Sequence, residues 1–105
     1  MKQTEDIKTV IIVTAYGEDN YYQKQYEDLV GIYTSVENAI NGATKDGMTR
    51  KQRDYLNRIN AFYALDLALR QHKAGEARQV DYYEETDGRC KQCESSYMFK
   101  TVNLN

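Results

Sequence analysis

Residues 7–16 read Ile-Lys-Thr-Val-Ile-Ile-Val-Thr-Ala-Tyr, and this stretch decides the fold. In an extended chain Val10 and Ile12 point to one side, and Ile11 and Val13 point to the other. A strand apolar on both faces belongs in the middle of a sheet, covered above and below. The covering layers come from the rest of the chain. Where the monomer does not supply one, a partner or a second copy does.

Working outward, Gly17 to Asp28 is polar, acidic and rich in tyrosine, and reads as a connecting loop. Leu29 to Thr34 (LVGIYT) reads as a second strand, antiparallel to the first. Thr34 with Glu37 fits a capping box, so a helix is expected from Thr34 or Ser35. Val36, Ala39, Ile40 and Ala43 give it one apolar stripe, and Gly47 ends it. Thr49 with Gln52 makes a second capping box. A long helix should follow, with Tyr55, Leu56, Ile59, Phe62, Tyr63 and Leu69 on a broad apolar face, ending at Gly75. Val80 to Glu85 reads as a strand, Asp87-Gly88 as a turn, and Tyr97 to Leu104 as the last strand. Arg89 to Ser96 reads as a short strand or an extended loop tip. The order β-β-α-α-β-β predicts an α+β fold: an antiparallel sheet of about four strands with two helices packed on one face. Residues 1–105 read as one domain.

Composition narrows the function. Charged residues make up 29% of the chain and apolar residues 41%, a globular balance rather than a disordered one. The net charge of −2 predicts neither nucleic-acid nor membrane binding from bulk electrostatics. The longest apolar run, Val10 to Val13, is far too short to span a bilayer. Met1 to Lys8 is polar and mixed in charge, which reads as a cytoplasmic chain. No GxGxxG follows a strand, and no GxxxxGK[ST], HExxH or GxSxG occurs, so the reading is non-enzymatic.

Several side chains invite chemistry. Cys90-Lys91-Gln92-Cys93 is the one metal or redox pattern, because two thiolates at this spacing can chelate a single zinc. Zinc wants four ligands, and the chain otherwise offers His72, carboxylates or a second chain's pair. Reduced, structurally incidental thiols suit a cytosolic chain better. His72 stands near a helix end beside Arg70 and Lys73, where positive charge complements the carbonyl dipole. Asp66 falls on the expected apolar face and so needs a partner, which Arg70 one turn later or a tyrosine hydroxyl could supply.

Charge is distributed unevenly. Glu18, Asp19, Glu27 and Asp28 alternate with Tyr21, Tyr22 and Tyr26, while Tyr82, Tyr83, Glu84 and Glu85 repeat the mixture later, flanked by Asp81 and Asp87. Carboxylates beside phenols can hydrogen-bond, stack and meet a basic partner. Should the second and third strands lie together, these segments would form one patch. Arg50, Lys51, Arg53 and Arg58 crowd the first turns of the long helix, resembling the second half of a helix-turn-helix. A long connecting turn, a missing third helix and an acidic chain count against DNA binding.

Val10 to Ile40 resembles small phage and bacterial proteins that pair a strand ending in tyrosine with an acidic-tyrosine loop, a V/I-G-V/I-Y/F-[ST] strand and a capped helix. Here the second half of that pattern is Val30-Gly31-Ile32-Tyr33-Thr34, followed by Glu37, Ala39 and Ile40. The resemblance carries no catalytic residues. In size, acidity and lack of enzyme motifs the chain is also similar to phage inhibitors of host defence, anti-CRISPR proteins among them. The expectation is therefore a protein-binding module of phage or mobile-element origin, acting in a bacterial host. It would inhibit a basic or nucleic-acid-handling host protein through the acidic tyrosine segments. The alternative is a small nucleic-acid-binding regulator using the basic helix, possibly a zinc-bridged homodimer through Cys90 and Cys93.

Overall fold

The doubly apolar stretch forms β1 (Thr9–Asp19), which lies inside the sheet between β2 (Lys24–Tyr33) and β4 (Glu94–Asn103), with β3 (Ala77–Tyr83) beyond β4. All three pairings are antiparallel, and the strand order is β2-β1-β4-β3. The computed structural model describes residues 8–19, 24–83 and 94–104. Between β2 and β3 run α1 (Val36–Asp46), α2 (Arg50–Arg58) and α3 (Ala61–Arg70). The α+β reading holds, with three helices in place of two.

The helices share one face of the sheet. Ile11, Val13 and Ala15 of β1, Tyr97 and Phe99 of β4 and Val80 of β3 meet Ala39, Ala43, Leu56, Ala61 and Leu65 in a single buried cluster. Phe62 packs edge-on against Phe99, ring centroids 6.0 Å apart. Tyr33 fits between Gly31 and Gly42, and a Cβ on either glycine would run into its ring. Those two missing methyl groups let α1 lie close on β2. Thr101 is fully buried in β4, yet its hydroxyl donates to Lys73 O and accepts from Glu76 N, each at 3.0 Å. That satisfied polar group pins the segment between α3 and β3 to the sheet.

Local chemistry sets the helix ends. Ser35, rather than Thr34, caps α1 by accepting from Asn38 N at 3.2 Å. Gly47, at φ 135°, closes α1, with the Met48 and Gly47 amides donating to Ala43 and Thr44. The Thr49–Gln52 capping box is present as expected. The single long helix is not. Asn60 takes a left-handed conformation (φ 59°), which asparagine tolerates better than most residues, and splits it into α2 and α3. The break re-aims the apolar stripe. Leu56, Ala61, Leu65 and Ala68 are buried and Phe62 and Leu69 half-buried, while Tyr55, Ile59 and Tyr63 are exposed. Asp66 is likewise not on a buried face; its side chain is 44% exposed and pairs with Arg70 Nε at 2.8 Å. Of the two partners expected, Arg70 rather than a tyrosine hydroxyl is the one present. α3 ends at Arg70, short of Gly75, and His72 (φ 53°) supplies the left-handed residue after it.

The acidic "loop" is mostly strand. Gly17 to Asp19 continue β1, Lys24 to Asp28 begin β2, and the two stretches pair with each other. A bulge interrupts the ladder where Val13 pairs with Gly31 but Thr14 pairs with Leu29, leaving Val30 unpaired. The extra residue brings Leu29 and Ile32, three apart in sequence, onto the same face. Val30 turns toward the core instead.

Candidate functional site

The cross-strand register defines the site. The core ends at the row Asp28–Ala15–Tyr97–Val80. Beyond it the sheet continues through Glu27–Tyr16–Ser96–Asp81, then Tyr26–Gly17–Ser95–Tyr82, then Gln25–Glu18–Glu94–Tyr83. Among the described residues, this distal end holds Glu18, Asp19, Glu27, Asp28, Asp81 and Glu94 against a single base, Lys24.

The expected direct meeting of the second and third strands does not occur. β2 and β3 are opposite edges, with β1 and β4 between them, about 14 Å apart at three strand spacings. The acidic segments share one end of the sheet, with the two central strands between them. Glu18 and Glu94 are register partners across the two central strands, so acidic positions occur on the central strands at this end as well. Glu94 and Tyr16 were not among the residues expected to take part. Finding them needs the β1–β4 pairing, a contact between opposite ends of the sequence.

Among the expected residues, Tyr26, Glu27 and Asp28 are exposed on β2. Glu18 and Asp19 lie in β1, and Tyr82 and Tyr83 in β3. Tyr21, Tyr22, Glu84, Glu85 and the pair Cys90 and Cys93 lie outside the described residues. Among the described residues, no group of three or more His, Cys, Asp or Glu side chains is placed to hold a metal.

The described side chains divide by face. Tyr26 lies across Gly17 on the helix-facing side, where a Cβ on that glycine would fall within its ring. Tyr16 and Glu27 lie on the opposite side, and the phenol donates to the Glu27 carboxylate at 3.2 Å. Desolvation and that neighbouring carboxylate raise the Tyr16 phenol above its ordinary pKa. At the helix boundary the buried Tyr97 phenol donates to Asp46 Oδ2 at 2.9 Å. Burial first, then the Asp46 hydrogen bond and charge, raise the Tyr97 phenol strongly. Neither phenol is ionised near neutral pH.

A second feature is basic. A shallow cleft of about 270 Å³ at the α1–α2 junction is lined by Thr44, Met48, Thr49, Arg50 and Arg53. Arg50, Lys51, Arg53 and Arg58 are all exposed. The connection from α1 to α2 is only Gly47–Thr49, shorter than expected, and α3 supplies the third helix that the sequence reading lacked. However, α2 rests chiefly on α3 and β3 rather than on α1. A helix-turn-helix requires its two helices to brace each other.

Among the described residues, no helix is long and apolar enough to cross a membrane. No family model, curated protein or solved structure matches the chain.

Proposed function

We propose that this protein is a non-enzymatic binding module whose acidic, tyrosine-bearing sheet end docks onto a basic surface of another protein, such as one that handles nucleic acid. The phage-inhibitor resemblance in the sequence agrees with that role. The observation that carries the reading is the strand register, which gathers acidic and tyrosine positions of four strands at one end of the sheet. Strand pairing fixes the spacing of these backbone positions, so binding sacrifices little backbone freedom. Carboxylates supply long-range attraction, and exposed rings such as Tyr26 supply contact area at small entropic cost.

Affinity capture from bacterial lysate with the wild-type chain and with a variant reversed at Glu18, Asp19, Glu27 and Asp28 tests the proposal. A partner retained by the wild type, lost on reversal and released by salt is expected. Capture that survives the reversal would refute it.

A second reading rests on the exposed Arg50, Lys51 and Arg53 around the cleft. If α2 contacts phosphates, a DNA or RNA gel shift should appear at low salt and vanish in Arg50→Ala/Arg53→Ala. An unchanged mobility removes that reading.

A further inference from the structure

We draw no further inference here: the strongest candidate, the shallow cleft at the α1–α2 junction lined by Arg50 and Arg53, belongs to the site already described, and the helix N-terminus beside it is occupied by its own Thr49–Gln52 capping box, with nothing among the described residues that points to a ligand there.

Discussion

Replacing Tyr97 with phenylalanine removes one oxygen and tests how the helical layer is fastened to the sheet. The ring is 4% exposed and its hydroxyl donates to the Asp46 carboxylate at 2.9 Å. Hydrogen bonds to charged groups contribute about 1.5–3 kcal/mol when buried, but Asp46 itself is exposed, so its carboxylate rehydrates in the variant. The expected loss at pH 7 is about 1 kcal/mol, or roughly 5 °C in Tm for a domain of this size. The pH dependence is more diagnostic. The folded phenol titrates above the unfolded value of 10.0, so the folded state favours the protonated form. Its contribution is fully present below pH 10 and is lost as pH rises above 10 toward the folded value. Linkage for one proton then gives a loss of about 1.4 kcal/mol by pH 11. Phenylalanine has no proton to lose. Urea denaturation of both proteins from pH 7 to pH 11 should therefore show the wild type ahead at neutral pH and the gap closing or reversing at pH 11. Parallel stability curves would refute the argument.

Two further substitutions probe separate parts of the fold. His72→Gly should stabilise by about 0.5–1 kcal/mol, because a left-handed residue closes α3 and glycine adopts that conformation without a Cβ clash; the urea midpoint should rise with an unchanged slope. Phe99→Ala should destabilise by about 3–5 kcal/mol, since the ring is fully buried against Phe62 at the centre of the core, and thermal melts should show most of the folded state's margin gone.

What the sequence reveals here depends on how local the cause is. β1 announces its central place because both of its faces are aliphatic. The Thr49–Gln52 cap is likewise a contact between residues three apart, readable without the fold. Asn60 is harder, because an asparagine inside an apolar-periodic run does not say whether it will take a helical or a left-handed backbone. The strand character of Gly17–Asp19 and Lys24–Asp28 was hidden for a different reason. Polar composition argues for a loop, and only pairing with the strand beside each stretch overrides it. The candidate site suffered most. Its residues were visible as a composition, but placing them needed the strand order, which sets β2 and β3 at opposite edges and brings Glu94 beside Glu18. The bulge itself was concealed, since regular alternation puts Val30 rather than Leu29 on the same side as Ile32.

The central position of both β1 and β4 bears on how the chain is made. Thr9 and Asn103 touch through a side-chain hydrogen bond although 94 positions separate them. During synthesis β1 emerges before the other strands and can pair with β2 soon after, but its other edge waits until β3 and then β4 have left the ribosome. For that interval an aliphatic strand has one bare flank, which invites wrong partners. The acidic residues that prolong β1 and β2 repel a like-charged second copy approaching that flank. They would thus guard the nascent hairpin against clumping before they serve any role in the finished molecule.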